Sequence, residues 1–313
     1  MSLFVNSTER YHREEMDSLG WELTVCEMLA RPDSPCRRIL REPRSFGSAL
    51  NAFLSKFIAW EGVSTVLEVG GGYGSLMRDL LAERPGLHAT MLDISPFLLA
   101  RQREALKGTG TRFLEGDFFG SGKEFLGGFD LAIFNENLGD FPTVCGITPG
   151  ALQGKSTGDD TLNAVRGLFA RYALERPAAG SFAFNLGALR AVEMLCETGV
   201  PRIYMSEHSC QARTPSEYGG LIDVPFAESP ERIGLRGHDE YTIRFSHLEA
   251  VARAHGYRAH RGPYADFLEF DLTPELNFIL AARSCARDEH EAIRQFVEDL
   301  FKYEYLVLLK DVP

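Results

Sequence analysis

A carboxylate, three alternating glycines and two more carboxylates downstream are the residues of this sequence best suited to chemistry. Glu68-Val69-Gly70-Gly71-Gly72-Tyr73-Gly74 joins a short apolar run to a helical pattern. Side chains at those glycines would hold a ligand off the backbone, so the turn suits close approach of a small molecule. A turn built for a dinucleotide needs G-x-G-x-x-G, with the pyrophosphate at the helix N-terminus. Ser75 stands where that third glycine would follow Gly70 and Gly72, which argues against a nicotinamide enzyme.

The G-x-G-x-G spacing behind an acid resembles instead the first motif of class I methyltransferases, whose cofactor, S-adenosylmethionine, carries an ammonium and a carboxylate. The resemblance implies that Glu68 sets the ammonium, directly or through water, and that Gly70, Gly71, Gly72, Tyr73 and Gly74 form the cofactor loop. Asp93, with Ile94 beside it, ends the next expected strand, where a carboxylate can accept both hydroxyls of a ribose. An acid there serves a nicotinamide cofactor equally, and is also an ordinary residue ahead of a helix. Asp117-Phe118 follows the third expected strand and offers a carboxylate for an adenine amino group beside a ring that can pack on the base. Glu68, Asp93 and Asp117 thus fall at the ends of successive strands, which share one edge of a parallel sheet.

At the end of the fourth expected strand, Asn135-Glu136-Asn137-Leu138-Gly139-Asp140-Phe141-Pro142 falls where the activated methyl group would lie. Displacement at a sulfonium asks an enzyme mainly to position the nucleophile and exclude water. For a guanidinium acceptor, Glu136 or Asp140 can orient the group and hold its charge away from the attacking nitrogen. Asp140 can equally cap a turn. Glu207 and His208 follow a later strand at the same edge and complete the acceptor-side candidates. His208 and Cys210 form a lone His-x-Cys without the other ligands of a closed site, so no metal is expected.

The stretch 70–81, Gly-Gly-Gly-Tyr-Gly-Ser-Leu-Met-Arg-Asp-Leu-Leu, resembles the extended glycine loop of the MidA-type methyltransferases. That family includes a mitochondrial arginine methyltransferase needed for respiratory complex I assembly. Asp93-Ile94-Ser95-Pro96 with the later Gln102 and Leu106 is similar to its acid-x-Ser-Pro run. Asn135 to Pro142 is similar to its Asn-Glu-x-Leu-Asp-Ala-x-Pro motif. The likeness is strong over 46–142, and weaker at 239–256 and at Leu300-Phe301-Lys302. It implies S-adenosylmethionine as cofactor, with Asn135 among the cofactor residues, and protein arginine as acceptor. The departures lie near the acceptor. Gly139 takes the family's Asp position and Asp140 its Ala position, and Ser206-Glu207-His208-Ser209 stands where the family ends a strand in Asp-Tyr-Gly.

The elements that must position these residues are legible as an alternation. Strands are expected over 65–69, 88–92, 111–114 and 129–134, with helices over 75–82 and 97–106, the second opened by Ser95-Pro96. This alternation predicts a parallel sheet with crossover helices. The fold expected is a Rossmann-like α/β class I methyltransferase fold, a mostly parallel seven-stranded sheet with an antiparallel edge strand. Residues 1–60 show helical spacing (Met16, Leu19, Leu23, Cys26, Leu29, then Leu50, Phe53, Leu54, Phe57, Ile58) and no strand, so they are expected to form a helical cap on a methyltransferase domain at 61–313. A Gly/Pro/Thr-rich loop is expected over 139–159, a helix over 162–174, and an element over 182–195 that is ambiguous between strand and helix. A strand over 202–206 leads into an inserted loop region at about 208–240. A helix over 245–254 is followed by strands over 257–262 and, at the edge, 275–283. A last helix over 288–301 and a strand over 303–309 end the chain.

Composition bounds the partners. The 313 residues are 44% hydrophobic and 25% charged, as in a globular protein, and the net charge of -11 with no basic stripe argues against a nucleic-acid partner. An acidic surface suits a cationic substrate, though acidity also serves solubility alone. Six scattered cysteines without a C-x-x-C pair fit a reducing compartment, and the N-terminus reads as neither a secretory signal nor a transit peptide. No apolar run is long enough to span a membrane, so a cytoplasmic protein is expected, with a homodimer admitted. The leading function is methyl transfer to a protein arginine. Its rivals are transfer to a small molecule and a cofactor-binding assembly factor without activity.

Overall fold

The computed structural model describes residues 3–19, 24–153, 158–178, 180–282 and 287–310. Along the chain, β1 (Phe4–Asn6) is followed by a single π-type turn, Tyr11–Glu15, and by the helices α1 (Val25–Met28), α2 (Pro35–Arg38) and α3 (Phe46–Leu54). Then come β2 (Thr65–Val69), α4 (Ser75–Glu83), β3 (His88–Asp93), α5 (Pro96–Ala105), β4 (Arg112–Glu115), α6 (Lys123–Leu126) and β5 (Leu131–Asn135). The middle of the chain holds β6 (Thr143–Ile147), α7 (Asp160–Arg171), β7 (Phe182–Phe184), α8 (Leu186–Thr198) and β8 (Arg202–His208). The last part holds a hairpin of β9 (Arg232–Gly234) and β10 (Asp239–Tyr241), then α9 (Phe245–Ala254), β11 (Tyr257–Pro263), α10 (Pro274–Ala281), α11 (Asp288–Lys302) and β12 (Tyr303–Lys310).

The main sheet has seven strands in the order β11-β12-β8-β5-β2-β3-β4. Pairings from β8 through β4 are parallel, and β12 runs antiparallel between β8 and β11, so the edge strand β11 also pairs antiparallel with its neighbour. This is the Rossmann-like class I methyltransferase arrangement. Alternating residues explain why the sheet is buried on both faces. Val66, Leu131, Ile133 and Tyr204 pack into one apolar cluster with Leu50, Met77 and Phe296, and Leu67, Ala132, Phe134 and Met205 pack into another with Leu189 and Val251. From β2 the chain moves outward through β3 and β4, then returns to the other side of β2 for β5. That reversal between β2 and β5 opens a crevice at the strand C-termini.

Four expectations are corrected. The N-terminal region is not all helical, since β1 pairs antiparallel with β6 in a second, three-stranded sheet β1-β6-β7. Met16 and Leu19 lie outside any helix, because their groups serve the main domain: the Leu19 N–H donates to the Tyr73 hydroxyl and Met16 Sδ meets Ser95 Oγ. Leu23, expected on the same helix, lies outside the described residues. The loop expected over 139–159 contains β6, whose Val144 and Ile147 are fully buried; residues 154–157 of it are not described. The edge strand expected over 275–283 is helix α10, because Thr273 caps the Leu276 N–H and Pro274 occupies the first helical turn; residue 283 lies outside the description. The ambiguous stretch at 182–195 is both things in turn, β7 and then α8. Among the described residues no helix is long and apolar enough to cross a membrane.

Candidate active site

The loop after β2 carries Gly70, Gly72 and Gly74 with φ of 60°, 51° and 84°. A Cβ on Gly70 would stand 2.6 Å from Asn137 Nδ2, so glycine is required there by conformation and by space. Glu68, one residue before the end of β2, is 1% exposed, and its Oε2 has no hydrogen-bond partner. Burial pushes its carboxyl up to about 8, with the nearby Asp93 adding to the effect. Asp93, 3% exposed, ends β3. Its Oδ1 accepts from the Ser95 N–H at 2.9 Å and its Oδ2 from Gln102 Nε2 at 2.7 Å. Burial raises it to about 6 against those two bonds. Gln102 also donates to the Gly72 carbonyl at 3.1 Å, which locks α5 to the glycine loop. Asp117 Oδ1 accepts from the Phe119 N–H, and Phe118 is buried against Phe134.

These groups open onto one cavity of about 680 Å³, walled by the glycine loop, the strand ends, the N-terminal segment and the β9–β10 hairpin. Glu68, Gly70, Gly71, Gly72, Asp93 and Ile94 line it. So do Asp117, Phe118 and Asn135, and, on the acceptor side, Glu136, Asp140, Glu207 and His208. Tyr73 and Gly74 do not. Gly74 is the left-handed residue that turns the chain into α4, and Tyr73 accepts from the Leu19 N–H at 3.0 Å.

At the acceptor end, Asn135 Oδ1 accepts from Ser206 Oγ at 3.0 Å and from the Tyr264 hydroxyl at 3.2 Å. Glu136 has a left-handed backbone, φ 55°, a strained conformation of the kind held at functional sites. Its carboxyl accepts from the Cys26 N–H at 3.3 Å and the Tyr264 hydroxyl at 3.2 Å. Burial lifts it to about 8. Glu207 is spent on backbone, accepting from the Gly139 N–H at 3.0 Å and its neighbour's N–H at 2.8 Å. The His208 ring lies 3.8 Å from that of Tyr303, between Glu207 and Asp299. Burial would lower His208, but the bonds to Asp299 and Glu207 outweigh it and hold the ring at about 9, so it is an imidazolium at neutral pH.

Asp140 stands apart from this group. Its Oδ1 lies 2.8 Å from His12 Nε2 on the N-terminal segment. Asn137, Tyr264, Asp299 and Tyr303, which support these groups, and the pair His12 and His238 are site residues that the sequence does not single out. Asn137 alone carried a signal, its place in the Asn-Glu-Asn run; the others reach the site from remote segments.

Residues 46–142, which carry the glycine loop, Asp93, Asp117 and Glu136, match the family model of an O-methyltransferase domain. Over that stretch the chain carries an O-methyltransferase domain match, and S-adenosylmethionine is the cofactor of that class. No curated protein matches the chain. Among solved structures, the chain is similar to the methyltransferase domain of bacterial CtHen1-C, at 15% identity over 85% of this chain and 97% of that one, with a TM-score of 0.44. It is similar to Haemonchus contortus phosphoethanolamine N-methyltransferase 2 in complex with S-adenosyl-L-methionine, at 12% identity over 99% and 68%, with a TM-score of 0.47. It is also similar to the plantazolicin methyltransferase BamL, at 16% identity over 97% and 94%, with a TM-score of 0.41. The residues present fit the cofactor: the unpartnered Glu68 Oε2 suits an ammonium, and the glycine cradle leaves the backbone bare.

Proposed function

We propose that the chain is an S-adenosylmethionine-dependent methyltransferase acting on a cationic nitrogen, with a protein arginine guanidinium as the acceptor. The observation that carries the reading is Glu136, a carboxyl in the cavity wall held by Cys26 and Tyr264 on a left-handed backbone. In this reading Glu68 binds the cofactor ammonium, Asp93 the ribose hydroxyls, and Asp117 with Phe118 the adenine, while Gly70 to Gly72 and Asn135 complete the pocket. Bound S-adenosylmethionine supplies an electrophilic methyl group on a sulfonium. Glu136 pairs with the guanidinium and concentrates its charge on the nitrogens that do not react. The charge of the guanidinium would favour the ionised carboxylate of Glu136, which burial alone keeps protonated up to about 8, and that carboxylate would take the proton released by the reacting nitrogen. Glu207 and His208 act as positioning residues, because Glu207 fixes the Gly139 turn and His208 is clamped by Asp299. The motif at Asn135-Glu136 supports arginine, and the displaced acid at Asp140 does not.

A small-molecule acceptor is favoured by a different observation, the roof that the N-terminal segment and the hairpin place over the cavity. The proposed division of the chain, a cap at 1–60 and an insertion at about 208–240, assigns that roof its two halves. The test is transfer of a radiolabelled methyl group in a matching cell extract, separated by size. Label that stays on protein through acid and base is expected, and Glu136→Gln should lower it about 100-fold with cofactor binding unchanged. Label confined to metabolites would replace arginine with a small acceptor. No label at all, with saturable cofactor binding, would leave a silent assembly factor.

A further inference from the structure

Three side chains in the cavity wall meet from segments far apart in sequence. His12 sits on the turn Tyr11–Glu15, Asp140 on the turn after β5, and His238 on the loop between β9 and β10. His12 Nε2 lies 2.8 Å from Asp140 Oδ1, and His238 Nε2 lies 3.9 Å from that same oxygen. One ligand atom from each residue falls within 4.8 Å of the other two. With bonds of about 2.0–2.2 Å to a metal, ligand atoms sharing one ion stand roughly 3–4 Å apart, so small side-chain movements would bring all three onto one centre. Glu240 Oε1, 3.2 Å from His238 Nε2, is next in reach.

We propose that His12, Asp140 and His238 bind a divalent transition-metal ion, with Glu240 as a fourth ligand, and that this ion clasps the N-terminal segment and the hairpin over the cavity. Two imidazoles with carboxylates suit manganese, iron, cobalt, nickel or zinc rather than the oxygen-only shells of magnesium and calcium. The site is also braced from outside, as Tyr11 stacks on the His238 ring with centroids 4.1 Å apart and Thr8 Oγ1 donates to the backbone carbonyl of Asp140 at 3.0 Å. The clasp does not depend on the identity of the methyl acceptor.

Cobalt(II) titrated into the full chain tests this by visible absorption and calorimetry. One ion per chain is expected, with a spectrum of nitrogen and oxygen ligation, and His238→Ala and His12→Gln should each weaken binding at least about tenfold. His12→Gln, on an N-terminal turn, serves should His238→Ala fail to fold, and His255→Ala is the unaffected control. Dissociation constants above about 1 mM, equal affinity in the variants, or a thiolate charge-transfer band would each overturn the proposal. S-adenosylmethionine titrated into the same proteins reads the cofactor site separately, so loss of one site is distinguishable from loss of the other.

Discussion

At the cofactor end of the cavity the working groups come from consecutive strands and the turns directly after them, β2 with Glu68, β3 with Asp93, β4 with Asp117 and β5 with Asn135. At the acceptor end Glu136, His208, Tyr264 and Asp299 come from the turn after β5, from β8, from the turn after β11 and from α11. The first set is gathered by topology alone, since parallel strands joined by crossover helices must bring their C-termini to one edge. The second set is gathered by packing between remote elements. A carboxylate at the cofactor end therefore has a position fixed by the sheet, whereas one at the acceptor end depends on partners such as Tyr264.

The sharpest way to break this comparison is to remove one group from each end. Asp93→Ala deletes an ionised acceptor that can hold two hydroxyls, at about 1.5–3 kcal/mol for each bond, so S-adenosylmethionine affinity should fall at least about 100-fold by calorimetry. The acceptor-end change Glu136→Gln should leave that affinity within about twofold. Equal losses in both would mean that the two ends form one unit.

The same contrast explains what could be read in advance. β2, β3, β4, β5 and α9 follow from periodicity, and the acids at the strand ends follow from the strands. β1 was missed because a three-residue strand with Phe4 and Val5 exposed carries no alternation signal. β6 was hidden by the Gly146 and Pro142 that flank or interrupt its apolar residues. α10 resembled a strand through Leu276, Phe278 and Leu280, yet Ile279 is buried and Phe278 is 66% exposed, a helical pattern that the Thr273-Pro274 start already marked. Nothing in the spacing of His12, His238, Tyr264 or Asp299 places them at one cavity, because only long-range packing does so.

A smaller effect concerns pH. The folded carboxyl of Glu68 stands at about 8, above the unfolded value near 4.3, so Glu68 is neutral in the folded chain where it would be ionised in the unfolded one. Its contribution to stability is therefore lost as pH rises from about 4.3 towards 8. An ammonium beside it reverses the preference. Cofactor binding below pH 8 should release a proton, and affinity should rise with pH by up to about tenfold per unit until the cofactor's own amino group loses its charge near 8. Calorimetry in buffers of different ionisation enthalpy should count close to one proton released at pH 6.5, and none in Glu68→Gln. Release that persists in Glu68→Gln and vanishes in Glu136→Gln would move the linkage to the acceptor end.

The smallest expected effect tests whether roof and cofactor loop are separable. Tyr73 belongs to the glycine loop by sequence, but its hydroxyl holds the Leu19 N–H and its ring does not line the cavity. Tyr73→Phe removes that one bond, worth about 1 kcal/mol, while the backbone cradle at Gly70 to Gly72 stays intact. The consequence should fall on the N-terminal segment, where Arg10 is an exposed trypsin site with its side chain 80% accessible. Cleavage there should quicken about fivefold, as local opening becomes easier by that energy, while S-adenosylmethionine affinity moves less than about threefold. An affinity loss that tracks the cleavage rate would show that the roof helps to hold the cofactor, and that the boundary between the two ends lies beyond Tyr73.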